Sequence, residues 1–117
     1  MSIDIKSLRI GSHILADGKR ERVRGLDEDN GLIIRFPAEY VLASEVEPIA
    51  ITPELLKELG LNVISHGCSE HWFLGNFDLT HNADSRYWDY DGSIRVEFLH
   101  ELEDLYYLKY GIELIQD

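Results

Sequence analysis

The chain has 117 residues, 44% of them hydrophobic and 28% charged, a composition that can build a globular core without disulfides or metal. No apolar run reaches the roughly eighteen residues of a membrane-spanning helix, which excludes one. The net charge of −11 is uneven: residues 1–35 hold seven Lys or Arg against six acids, and residues 36–117 hold four against sixteen, so only the first third could offer phosphate contacts.

The opening Met1-Ser2-Ile3-Asp4-Ile5-Lys6 lacks the basic region and apolar stretch of a signal peptide. Cys68 is the single cysteine and cannot form an internal disulfide, so a reduced, cytoplasmic compartment is expected. Ile10 to Ala16 reads as a strand. Asp17-Gly18 reads as a two-residue hairpin turn with both residues at positive φ, and Lys19 to Leu26 as the return strand. Asn30-Gly31 is a second hairpin signal. Leu32 to Phe36 is a third strand, apolar enough for burial on both faces, and Pro37 interrupts it. Glu39 to Leu42 and Val46 to Ile51 complete a meander whose short strands and tight turns suggest a small barrel or strongly bent sheet.

Thr52 is a good N-cap with Pro53 at the first helical position, so a short helix carries Leu55, Leu56 and Leu59 and stops at Gly60. Leu61 to Ser65 and Glu70 to Leu74 read as strands around a His66-Gly67-Cys68-Ser69 loop. Gly75-Asn76 then turns into Phe77 to Thr80. Tyr87 to Tyr90, Asp91-Gly92 and Ile94 to Phe98 form the next hairpin, with Ile94, Val96 and Phe98 alternating against Arg95 and Glu97. From Phe98 to Tyr110, the residues Phe98, Leu99, Leu102, Leu105 and Tyr106 recur at helical spacing. Glu97, His100, Glu103, Asp104 and Tyr107 fall opposite, toward solvent. Gly111 supplies the left-handed stop, and Ile112, Leu114 and Ile115 form a tail expected to tuck against the sheet.

The expected fold is α+β: a bent antiparallel, small-barrel-like sheet with a short central helix and a C-terminal helix packed on strands. One domain is expected over 1–117, with a barrel-like half at 1–52 and the helix, hairpins and C-terminal helix at 53–117. The seam at Thr52-Pro53 is too tight for a linker.

Three segments carry a family resemblance: Ile5-Lys6-Ser7-Leu8-Arg9-Ile10-Gly11-Ser12; Val46-Glu47-Pro48-Ile49-Ala50-Ile51-Thr52-Pro53-Glu54-Leu55-Leu56 running to Leu59-Gly60; and Val96 through Leu108 with Gly111-Ile112-Glu113-Leu114. In this order they resemble a group of small uncharacterised proteins of gut Bacteroidetes and their phages and mobile elements. Ser12 stands where that group more often shows Asn, and residues 61–95 match poorly. The resemblance implies one domain in a cytoplasmic or phage setting. It brings no catalytic residues and no cofactor.

Residue types that could carry chemistry are scattered. Arg20, Arg22 and Arg24 alternate on the second strand, so their guanidinium groups would share one face and could hold an anion by bidentate hydrogen bonds. The same row also reads as a solvated strand face that discourages edge pairing. Trp72, Phe73, Phe77, Tyr87, Trp88 and Tyr90 read mainly as core. Trp88 and Tyr90, beside Asp89 and Asp91 near a hairpin tip, are the pair that could stack a base or meet a partner. His66, Cys68 and His71 have zinc-ligand side chains without the paired spacing of a zinc finger, so no metal is expected. Asp27 to Gly31 departs from a calcium loop at its glycine and at the twelfth position, Ala38, and reads as a turn. With no nucleophile motif or phosphate loop, an enzyme is not expected.

The function expected from sequence is a non-catalytic binding module with a protein partner, without membrane or nucleic-acid binding, and with a homodimer open. Three alternatives stand beside it: a phage-type inhibitor of a host defence protein acting through its acidic surface, a binder of a small anionic ligand such as a nucleotide, and an enzyme.

Overall fold

The computed structural model describes residues 5–35, 39–82 and 85–115. Phe36 and Pro37, read above as a strand end and its interruption, and the opening Met1 to Asp4 lie outside them. In chain order the described strands are β1 (His13–Ala16), β2 (Lys19–Asp27), β3 (Leu32–Arg35), β4 (Glu39–Leu42) and β5 (Val46–Glu47), then helix α1 (Pro53–Glu58). Next come β6 (Asn62–His66), β7 (Ser69–Leu74), β8 (Phe77–Asn82), β9 (Trp88–Tyr90), β10 (Ile94–Val96) and helix α2 (Leu99–Tyr110). The fold is mixed α+β, and every strand pairing described is antiparallel. The chain divides into two compact units, Met1–Ile49 with Phe98–Glu113, and Ala50–Glu97 with Leu114–Asp117.

The first unit holds a sheet in the order β4-β3-β2-β1-β5. Asp17 and Gly18 both sit at positive φ, 53° and 76°, and turn β1 into β2 with the twist a two-residue hairpin needs. The long strand β2 serves two ladders. Its first half pairs with β1 from Ala16↔Lys19 to His13↔Arg22, and its second half pairs with β3. Between Val23 and Gly25 the register with β3 shifts, so Arg24 is the extra residue of a β-bulge that bends the strand. Leu8, Ile14, Ala16, Val23, Ile33 and Val46 form the buried core of this unit, ringed by half-buried Ile5, Leu26, Val41 and Ala43.

The bend does not close the sheet into a barrel. β4 and β5 remain its two edges, joined by a single 3-10 turn at Ala43–Glu45. β5 pairs with β1 over two residues, Leu15↔Glu47 and Ala16↔Val46. Pro48, which has no N–H, follows at once, so the strand expected to run to Ile51 stops at Glu47.

The second unit is a meander in the order β10-β9-β8-β7-β6. Of the six described residues buried on its strands, Trp72, Phe77, Leu79, Trp88, Tyr90 and Val96, four are aromatic. Trp72 meets Trp88 edge-on at 6.1 Å, Phe77 lies 5.1 Å from Tyr90, and His81 stacks on Trp88 at 4.0 Å. Thr52 Oγ1 accepts the Leu55 N–H at 3.1 Å to cap α1, whose Leu56 is buried. Of the C-terminal tail, Ile115 is buried and Ile112 exposed.

Helix α2 belongs to the first unit, not to the hairpins that precede it, which departs from the grouping expected on either side of residue 52. No described helix is long and apolar enough to cross a membrane.

Candidate interaction surface

Helix α2 is capped at both ends, and its start is tied by a backbone hydrogen bond to the chain before α1. The Leu99 N–H donates to Ile49 O at 2.7 Å, and the Phe98 N–H donates to Glu101 Oε1 at 3.0 Å. At the other end Gly111, at φ 72°, turns left-handed and donates its N–H to Tyr107 O at 2.7 Å.

Burial on α2 does not follow the apolar stripe. Leu99 and Leu102 are buried as expected, but so are His100 and Glu103, which periodicity places in solvent. The reason is a set of polar partners on the first segment and β1. The Glu103 carboxylate accepts the His13 backbone N–H through Oε1 at 2.8 Å and meets His13 Nδ1 through Oε2 at 2.7 Å. At that separation one hydrogen is shared between Nδ1 and Oε2. Both side chains are essentially out of water, so each offsets part of the desolvation cost of the other, and removing either would leave its partner buried alone. His100 Nε2 lies 3.2 Å from Ser7 Oγ, while its Nδ1 is buried with no hydrogen-bond partner among the described residues. Burial holds the His100 imidazole below its ordinary pKa, and the nearby Glu101, Asp104 and Glu103, which pull the other way, do not offset it.

Arg9 ties the helix to the tail. Its Nε donates to Asp104 Oδ1 at 2.7 Å, and Nη1 and Nη2 donate to Glu113 at 2.9 and 2.7 Å. This fork holds the Glu113 carboxyl below its ordinary range, chiefly by hydrogen bonding. The guanidinium also sits 4.6 Å over the Tyr107 ring. Gly11 packs against this fork. A Cβ there would press on Glu113 Oε2 and displace that carboxylate from its fork, and at φ 104° the backbone itself favours glycine.

Beyond these anchors the helix emerges. Leu108 is 80% exposed, and Tyr107, Tyr110 and Ile112 are exposed beside it, with Lys109 among them. Tyr106 and Tyr110 pack ring to ring at 4.7 Å. The result is a short run of aromatic and aliphatic side chains presented by a helix whose other end is locked in place. Aromatic residues with an adjacent arginine are the composition favoured at protein interfaces.

The residues singled out by sequence fall elsewhere. Trp88 and Tyr90 are 1% and 8% exposed and belong to the core of the second unit, so neither presents a face to a ligand in solution. The arginine row is broken by the bulge: Arg20 and Arg24 are exposed, whereas Arg22 is half-buried with Nη2 3.7 Å from Glu113 Oε2. His66 ends β6, Cys68 is exposed in the turn, and His71 on β7 lies with Nε2 3.3 Å from Asp78 Oδ1. Among the described residues no three His, Cys, Asp or Glu side chains are gathered as metal ligands. A shallow acidic corner of about 200 Å³ is lined by Leu15, Asp17, Gly18, Glu45 and Glu47. No family model, curated protein or solved structure matches the chain.

Sequence reasoning missed His13, His100 and Glu103 as a group. The pairings His13–Glu103 and Ser7–His100 join residues about ninety positions apart, and nothing in local spacing announces them.

Proposed function

We propose that this chain is a non-catalytic protein-binding module whose contact surface is the C-terminal end of α2, centred on Tyr107, Leu108, Tyr110 and Ile112. The observation that carries this reading is Leu108, 80% exposed on a helix that the buried His13–Glu103 contact anchors nearer its start. Pre-organisation of that kind lowers the ordering cost of binding. The buried carboxylate and imidazole groups support the same reading, because they are spent on holding α2.

The test is affinity capture from native cells with the wild-type chain and with Leu108→Asp. A partner enriched by the wild type and lost with the variant, while the variant melts like the wild type, supports the proposal. An identical captured set refutes it. Salt separates this surface from the acidic one. Capture through α2 persists at high ionic strength, whereas capture of a basic host protein by the acidic surface fades with screening.

A further inference from the structure

Four strand edges end the two described sheets. Three are short and charged: β5 has two residues and carries Glu47, β10 has three and carries Arg95, and β4 has four and begins at Glu39. Shortness and charge are how natural sheets discourage edge-to-edge pairing. The remaining edge, β6, runs Asn62-Val63-Ile64-Ser65-His66. It has five residues, no Asp, Glu, Lys, Arg or Pro, and an unbroken register with β7. Asn62 through Ser65 are all exposed, with Val63 at 37% and Ile64 at 48%.

The turn fixes which backbone groups face outward. Gly67, at φ 66°, and Cys68 form a two-residue loop, so His66 and Ser69 are the hydrogen-bonded pair that closes it. Alternation along the antiparallel ladder then points the N–H and C=O groups of Ile64 and Asn62 toward β7, and those of Val63 and Ser65 toward the open edge. These two outward residues flank Ile64 symmetrically.

We infer that β6 pairs with β6 of a second copy of this chain, antiparallel, across a two-fold axis at Ile64. Val63 of each copy exchanges both N–H···O=C bonds with Ser65 of the other. Ile64 stands opposite its own symmetry mate in the non-hydrogen-bonded position, where Cα atoms approach to about 4.5 Å and side chains touch. A second copy suits this edge because a two-fold contact needs one self-complementary patch, and an uncharged strand sets no like charges face to face. The −11 charge each copy carries opposes association at long range, and salt relieves it.

The test is sedimentation equilibrium of the full chain under reducing conditions, from micromolar to millimolar protein, at low and high salt. A concentration-dependent dimer that salt strengthens is expected. Ser65→Pro removes only an outward N–H, which an edge strand tolerates, and should weaken the dimer by about tenfold or more with little change in melting. Ile64→Lys sets like charges opposite one another and should weaken it too, which keeps the test decisive should the proline variant unfold. Leu108→Asp should leave the dimer intact, so this result is separable from that for the α2 surface. A monomer at every concentration and salt overturns the inference, as does a dimer equally tight in folded Ser65→Pro or Ile64→Lys.

Discussion

Glu103 has no access to water, and both of its oxygens are occupied by His13. Glu103→Ala leaves a buried imidazole and a buried N–H without their acceptor, and should cost about 3–5 kcal/mol of stability in denaturant unfolding. Glu103→Gln keeps one acceptor oxygen and should lose less. His100 makes a different prediction. Its folded pKa lies below that of the unfolded chain because of burial. As pH falls through about 6.5 the unfolded state therefore binds more protons, and this residue's contribution to stability declines until the folded pKa is reached. His100→Gln should flatten the fall in melting temperature between about pH 7.5 and 5.5 relative to wild type. An unchanged slope would assign the pH dependence to another group. None of these roles was legible in the sequence, which shows His100 and Glu103 only as polar residues on the face away from a leucine stripe.

At the scale of elements, local chemistry was a good guide to where structure starts and stops. Thr52 caps α1, Gly111 ends α2 left-handed, and Asp17-Gly18 turns with both residues at positive φ, as their side chains and backbone freedom dictate. Thr52→Ala should cost about 1 kcal/mol, measurable by thermal unfolding. Periodicity was a poorer guide to burial, because it assigns faces from side-chain polarity and cannot foresee the partners that bury His100 and Glu103. Leu102 lies on the covered stripe and Leu108 off it. Leu102→Ala should destabilise by about 2–5 kcal/mol as a cavity forms, whereas Leu108→Ala should stay within about 0.5 kcal/mol. Equal effects in paired denaturation curves would contradict the described burial of α2.

For the whole molecule, charge is the first constraint. Arg9 and Arg22, two of the seven basic residues of the first third, face Glu113, so even that region offers phosphates less positive charge than its composition suggests. Duplex DNA should not be retained at physiological salt in a gel-shift assay; retention with a steep salt dependence would reveal a basic surface. The sequence by itself determined the class of fold, the strand meanders, the turns and both helices, since each depends on dihedral preferences and neighbours a few residues away. Only the tertiary structure decided that Trp88 and Tyr90 are core, that the arginine row is split by a bulge, and that α2 joins the first sheet. It alone showed that His13 and Glu103 close on each other and that β6 is an open edge. Burial, and the cost of burying charge, are set by residues that meet across tens of positions of chain, and no local pattern encodes that meeting.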